Sequence, residues 1–218
     1  MAEASIHLSY LRLRRLIGIC GLALPIFGSI VIGDILPSIS HYYYSNANVL
    51  FVGILSILGV FLISYKGYDQ EEEWISDNLA TTIGGIAILL VVIIPGKYVW
   101  TDFPTAWNYS VNCPTFYCTD EDSIFRVIHF VSAGIFFLAM SWLSIFNFTK
   151  SSNTKSNKVY IFCGIGMIVI LLLTILVEFI LDLNTSKYFI FIVECIMLLL
   201  FAVSWLVKGK ALRGGINS

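Results

Sequence analysis

Residues 123–148, SIFRVIHFVSAGIFFLAMSWLSIFNF, form an apolar run that is long enough to cross a lipid bilayer. The run carries Arg126 and His129 in its first two turns, where a charged or polar side chain is costly in lipid. In a helix these two residues share one face with Ala133 and Phe137, because successive spacings of three and four residues bring side chains together. The sequence therefore predicts a membrane helix whose Arg126 face is turned towards protein.

The composition excludes an ordinary soluble domain and indicates a polytopic membrane protein. Of the 218 residues, 58% are hydrophobic and only 12% are charged. The net charge of −1 gives no basic field, so nucleic acid is not an expected partner. Arg12, Arg14 and Arg15 precede the first apolar segment as in a secretory signal, but that segment is long and lacks a small-residue cleavage site. We therefore expect an uncleaved first span.

The sequence contains six apolar segments, each close to the roughly 17–25 residues that a spanning helix needs. Their apolar residues do not alternate strictly as they would in barrel strands, so helices are favoured. The predicted fold is an all-α, six-span transmembrane bundle that forms a single domain over residues 1–218. The predicted spans lie at about 16–36, 49–65, 79–95, 124–148, 159–181 and 188–207.

Lysine and arginine positions predict the orientation of this bundle. With six spans, most of these residues fall on one side of the membrane, and only Lys97, Arg126 and Lys187 lie towards the other. The positive-inside rule then places both termini in the cytoplasm. The expected location is a bacterial inner membrane or a eukaryotic endomembrane or plasma membrane.

The longest predicted external connection, residues 96–122, contains Cys113 and Cys118. Two cysteines on the oxidising side of a membrane can form a local disulfide, which contributes roughly 2 kcal/mol in the chain-entropy model. We therefore predict a Cys113–Cys118 disulfide. The three other cysteines fall within predicted spans and are expected to pack as small apolar groups.

Several ionisable residues collect near the predicted outer ends of the spans. Such groups normally pair with one another or line a cavity, because an isolated charge in lipid costs several kcal/mol. Three interpretations remain open: a structural ion-pair network, a pocket for a polar substrate or lipid headgroup, and a metal or catalytic centre. The candidate ligand-binding residues are Asp34, His41, Arg126, His129, Glu178, Asp182 and Glu194. The candidate ligands of a divalent metal are His41, His129, Glu178 and Glu194.

Three short motifs resemble, in the same order, those of the Frag/DRAM/Sfk group of six-span membrane proteins and related bacterial integral membrane proteins. They are PSISHYYYS at 37–45, HFVSAGIFF at 129–137 and VECIMLLLFAVSWLVKG at 193–209. The resemblance covers most of the chain loosely and implies a role in membrane lipid handling or in membrane-associated regulation.

The resemblance adds Ser40 to the candidate ligand-binding residues and marks His129 and Glu194 as family positions. His41 stands where eukaryotic members of the group tend to have an acidic residue. A weaker similarity is to seven-span metal-dependent lipid hydrolases, whose paired histidines in the last span are absent here.

These observations predict an integral membrane protein that handles a lipid or another amphiphile in a polar pocket near the outer leaflet. Membrane lipid is the expected partner. The alternatives are a metal-assisted lipid hydrolase, with a divalent metal as cofactor, and a structural or accessory membrane subunit. The sequence alone does not decide whether the protein is an enzyme.

The orientation can be tested with single cysteines introduced at Ser152 and Thr105, on a background without reactive native thiols. In intact cells the Thr105 site should react with an impermeant thiol reagent, and the Ser152 site should react only after permeabilisation. The opposite labelling pattern would reverse the predicted orientation.

Overall fold

A computed structural model describes residues 2–67, 75–96, 124–150, 153–181, 183 and 185–210. Within these ranges the protein is all-α and contains no strand. Its main helices are α1 (Ala2–Ile32), α2 (Asn48–Ile63), α3 (Asp77–Ile93), α4 (Ile124–Trp142), α5 (Thr154–Ile175) and α6 (Phe189–Lys208). A 3-10 turn covers Ile39–Tyr44, a π turn (Leu143–Asn147) and a 3-10 turn (Phe148–Lys150) prolong α4, and a π turn (Leu176–Ile180) prolongs α5.

Four of the described helical segments are long and apolar enough to cross a membrane. They are Leu11–Ile32, Ile124–Lys150, Thr154–Glu178 and Phe189–Lys208. The helices α2 and α3 are apolar but shorter, with 16 and 17 residues. The prediction of an all-α protein is confirmed, and four helices are consistent with an integral membrane protein, whereas the six spans and their orientation stay predictions.

Two helices begin well before the predicted spans. The helix α1 begins at Ala2 rather than near residue 16, and α5 begins at Thr154 rather than near residue 159. The start of α5 is fixed by Asn153, whose side chain accepts a hydrogen bond from the Ser156 N–H at 3.1 Å. Hydropathy locates the apolar centre of a helix, whereas polar capping groups set where it starts.

The end of α1 depends on a glycine. Gly33 adopts a left-handed conformation with φ of 73°, and its N–H donates to the Ser29 carbonyl at 2.8 Å. Glycine pays no Cβ penalty in this conformation, which commonly terminates helices. The chain can therefore leave α1 and turn back over the end of the bundle.

The six main helices form a closed ring of neighbours. Each one packs against the next along the chain, and α1 closes the ring by packing against α6. The helix α4 also contacts α6 across the interior. The start of α4 and the start of α6 lie at the same end of the bundle, since Arg126 of α4 and Ile190 of α6 line one cavity.

Aromatic side chains fill the interior, while large aliphatic side chains cover much of the outside. The ring of Phe201 lies 5.5 Å from that of Phe136 and 6.1 Å from that of Trp205, and all three residues are buried. On the outside, Phe162 is 70% exposed and Ile30 is 67% exposed. Exposed apolar surface of this extent is typical of helices that face lipid.

The contact between α2 and α3 requires small residues. A Cβ atom at Gly85 would lie 2.7 Å from the carbonyl oxygen of Gly59 and 2.7 Å from Cγ1 of Ile63. The helices can approach this closely only because neither glycine carries a side chain. Close packing of this kind replaces the hydrophobic effect as a driving force inside a membrane.

We predict that Gly85→Ala destabilises the protein by about 1–3 kcal/mol, because the added methyl group forces α2 and α3 apart. Gly53→Ala is the matched control, since a Cβ atom at Gly53 meets nothing within 4 Å. The control should be neutral or stabilising by up to about 1 kcal/mol. Unfolding in detergent measures both effects, and equal stability of the two variants would contradict the close contact.

Candidate functional site

The segment 37–45 crosses one end of the bundle and carries the residues of the candidate site. The 3-10 turn Ile39–Tyr44 begins at Ser38, which is extended with φ of −148° and ψ of 151°. The hydroxyl of Ser38 accepts a hydrogen bond from the Ser40 N–H at 3.1 Å and so caps the turn. This cap fixes the backbone at Ser40 and so the direction in which the Ser40 side chain points.

Glu194 of α6 holds the start of this turn. The Ser38 hydroxyl lies 2.9 Å from each carboxyl oxygen of Glu194, and the Ile39 N–H donates to Oε2 at 2.6 Å. One turn earlier in α6, the Phe191 N–H donates to the Pro37 carbonyl at 3.0 Å. These contacts satisfy polar groups that lipid could not satisfy, and they fix the turn to α6.

Ser40 is hydrogen-bonded to His129 of α4. Its hydroxyl lies 2.9 Å from His129 Nε2, and His129 Nδ1 lies 2.7 Å from the carbonyl oxygen of Ile94. A carbonyl can only accept, so the Nδ1 atom carries a proton and donates to Ile94. In the neutral imidazole Nε2 is then the acceptor, and the Ser40 hydroxyl donates to it.

Two tyrosines tie the turn to other helices. The Ser29 hydroxyl donates to the Pro25 carbonyl at 2.9 Å, which leaves its oxygen to accept from the Tyr42 hydroxyl at 2.7 Å. Burial raises the pKa of Tyr42, so its phenol stays protonated as a donor. The Tyr44 hydroxyl donates to the Gly96 carbonyl at 2.7 Å. The turn therefore contacts α1, α4, α6 and the segment after α3.

A cavity of about 560 Å³ opens between this turn, the start of α4, the end of α5 and the start of α6. It has the size of a small-molecule site. The residues that line it are Pro37, Ser38, Ser40, His41, Gly96, Arg126, His129, Phe130, Glu178, Leu183, Thr185, Ser186, Lys187 and Ile190.

Three charged residues line this cavity among the described residues. Arg126 lies over the ring of Phe130, with 5.7 Å between Cζ and the ring centroid. Glu178 lies in the π turn Leu176–Ile180, and its Oε1 accepts from the Thr185 hydroxyl at 2.9 Å. Lys187 is the second positively charged residue of the wall. Single π turns such as the one that carries Glu178 are frequent at functional sites.

The structure brings five of the eight predicted ligand-binding residues to one cavity. These are Ser40, His41, Arg126, His129 and Glu178.

The other three predicted residues lie elsewhere. Glu194 lies behind the cavity and reaches it through Ser38. Asp34 is exposed, accepts from the Ile35 N–H at 2.7 Å, and is not among the described residues that line the cavity. Asp182 lies outside the described residues.

The candidate metal ligands do not assemble into a metal site within the described ranges. No group of three or more His, Cys, Asp or Glu side chains suited to a metal ion occurs there. Both ring nitrogens of His129 are hydrogen-bonded, and the Glu194 carboxyl group accepts from Ser38 and Ile39. Of the predicted set of His41, His129, Glu178 and Glu194, the last three therefore belong to three separate hydrogen-bonded groups.

The predicted Cys113–Cys118 disulfide also lies outside the described residues. The three cysteines within the described ranges, Cys20, Cys163 and Cys195, are free thiols. Cys163 is buried, as expected for a thiol that packs as an apolar group.

Ser38, Gly96 and Lys187 are residues of this site that the sequence did not single out as candidates. Ser38 lies in the motif at 37–45, and the sequence position of Lys187 bears only on the orientation. Gly96 became part of the site because the end of α3 lies beside Ser40 and His129. A Cβ atom there would lie 3.3 Å from His129 Nε2.

Comparison with protein-family models, curated proteins and solved structures finds no match to this chain. The function must therefore be argued from the geometry of the cavity.

A double-mutant cycle of Ser38→Ala and Glu194→Gln tests the contact that holds the turn. Each single change should cost about 1–3 kcal/mol, because it disturbs hydrogen bonds to a carboxyl group or leaves a donor unsatisfied. We expect a coupling energy of about 0.5–3 kcal/mol from unfolding in detergent.

Asn153→Ala, at the opposite end of the bundle, is the control partner for Ser38→Ala. That pair should be additive to within about 0.5 kcal/mol. Additive effects of Ser38→Ala and Glu194→Gln would contradict the contact.

Proposed function

We propose that this protein binds an anionic amphiphile, such as an acidic membrane lipid, with the headgroup in the 560 Å³ cavity. The observation that carries the proposal is the charge of the cavity wall. Among the described lining residues, Arg126 and Lys187 are cationic and Glu178 is anionic. Over these described residues positive charges therefore outnumber negative charges, and the neutral form of His129 adds no charge.

The chemistry of these side chains suits a phosphate headgroup. The guanidinium group of Arg126 can donate two parallel hydrogen bonds to phosphate or carboxylate oxygens. Glu178, the one acidic residue among the described residues that line the cavity, accepts a hydrogen bond from Thr185 at 2.9 Å. Arg126 is half-buried, so water weakens its attraction to a bound anion less than it would at a fully exposed site.

Apolar residues on the same wall suit the remainder of an amphiphile. Phe130, Leu183 and Ile190 line the cavity beside the charged groups, and Leu183 is 53% exposed. Chains of the bound molecule can therefore continue from the cavity along the apolar exterior. A polar cavity next to exposed apolar surface suits an amphiphile better than a water-soluble ion.

The proposal includes the number of spans and their orientation in the membrane. We propose six spans with both termini in the cytoplasm, which places the cavity towards the outer leaflet. The resemblance to the Frag/DRAM/Sfk group supports lipid handling, because its three family positions are linked in space. Ser40 contacts His129 directly, and Glu194 is connected to Ser40 through Ser38.

Binding of short-chain lipids to purified protein in detergent tests this proposal. Dioctanoyl phosphatidylglycerol should bind more tightly than dioctanoyl phosphatidylcholine, because only the first carries a net negative charge. Arg126→Gln should weaken binding of the anionic lipid by about tenfold or more, since a charged hydrogen bond contributes about 1.5–3 kcal/mol.

Lys155→Gln is the matched control, because it removes the same charge from an exposed site at the opposite end of α5. This variant should bind phosphatidylglycerol as the unchanged protein does. Equal affinity for the two lipids, or equal loss in the two variants, would contradict headgroup binding in the cavity.

A further inference from the structure

We infer that Ser40 is a nucleophile for acyl transfer, with His129 as its general base, and that its substrate is an ester of the bound amphiphile. The choice of substrate rests on the proposed function, whereas the reactivity of Ser40 rests on its own geometry. The inference needs a correctly directed hydrogen bond, access to the hydroxyl, and a serine that lies between polar and apolar surroundings.

The hydrogen bond runs in the direction that general-base catalysis requires. Ile94 accepts from His129 Nδ1 at 2.7 Å and so fixes the tautomer and the plane of the ring. The Nε2 lone pair then faces the Ser40 hydroxyl at 2.9 Å. A hydroxyl that donates to an oriented imidazole is the arrangement of an activated serine.

The serine is accessible from the cavity. Ser40 and His129 both line it, and Gly96 lies beside the pair. A Cβ atom at Gly96 would lie 3.3 Å from His129 Nε2 and 3.4 Å from the Cβ atom of Ser40. The absence of a side chain at this position keeps space free next to the proton-accepting nitrogen.

Ser40 also lines a second, apolar cavity of about 50 Å³. Its wall is mainly apolar and includes Leu24, Phe51, Phe136 and Leu198, with Glu194 as its acidic residue. Ser40 therefore lies between the larger cavity, which carries positively charged side chains, and the smaller apolar cavity. The ester carbon of a lipid lies at the same kind of boundary, between a polar headgroup and a hydrocarbon chain.

The reaction requires only an ester and water. Ser40 Oγ forms a bond to the ester carbonyl carbon while its proton moves to His129 Nε2, and the carbonyl oxygen becomes an oxyanion. When the oxyanion collapses, the ester C–O bond breaks and His129 gives its proton to the leaving alcohol, which carries the headgroup.

The acyl group is then bound to Ser40 Oγ. Water attacks the acyl carbon and transfers a proton to His129, the bond to Ser40 breaks, and Ser40 regains the proton. The products are a free fatty acid and an alcohol with the anionic headgroup. No oxidant, reductant or further reactant is consumed.

The test uses a fluorophosphonate probe, which phosphonylates activated serines, on the full-length protein in detergent. Peptide mass spectrometry of the unchanged protein should locate the adduct on Ser40. Ser40→Ala should abolish labelling, and His129→Gln should slow it by about 100-fold or more, as expected for loss of a general base. Circular dichroism and gel filtration establish that the variants remain folded.

Ser64→Ala is the matched control, because Ser64 is an exposed serine just after α2, at the end of that helix away from the cavity. This variant should be labelled at the unchanged rate. No adduct on Ser40 of the unchanged protein, or equal labelling rates with and without His129, would overturn the inference.

Competition separates this inference from the proposed function. Dioctanoyl phosphatidylglycerol should slow labelling of Ser40 more than dioctanoyl phosphatidylcholine does. Labelling that neither lipid slows would overturn the assignment of the substrate while the nucleophile stands. Lipid binding that depends on Arg126, in a protein whose Ser40 is not labelled, would overturn acyl transfer while the binding function stands.

Discussion

The contact between Glu194 and the start of the 3-10 turn holds the candidate site together. The segment between α1 and α2 lies at the end of an apolar bundle, where its backbone groups need partners. Glu194 satisfies the Ser38 hydroxyl and the Ile39 N–H, and the Pro37 carbonyl accepts from α6. Since the hydroxyl of Ser38 in turn caps Ser40, one carboxyl group on α6 determines where the serine lies.

The packing of the helices in a ring brings further residues of the site to this turn. The start of α4 lies near the start of α6, and the segment after α3 lies beside both, so His129 and the Ile94 carbonyl meet Ser40. The turn also contacts Gly96 through Tyr44. Elements that are far apart in sequence thus build a single wall around the cavity. Displacing any of them would alter the distance between the hydroxyl and the imidazole.

Part of this arrangement could be predicted from the sequence. The polar residues on an apolar run identified His129 and Arg126, because lipid offers such groups no partner. Ser40 was indicated by resemblance only, since a serine near a helix end carries no distinctive charge or periodicity. The Ile94 carbonyl could not be predicted, because backbone partners depend on how helices close in space. The sequence pattern that suggested a metal site could not show that the Glu194 carboxyl group accepts hydrogen bonds from Ser38 and Ile39.

Photocrosslinking with a phosphatidylglycerol that carries a diazirine near its headgroup, followed by peptide mapping, tests most directly whether an anionic amphiphile occupies the cavity beside Ser40. We expect adducts on residues at the start of α4 and just before α6, around Arg126 and Lys187, which excess unmodified lipid suppresses. Adducts confined to the outward face of α5 around Phe162, without competition, would contradict it.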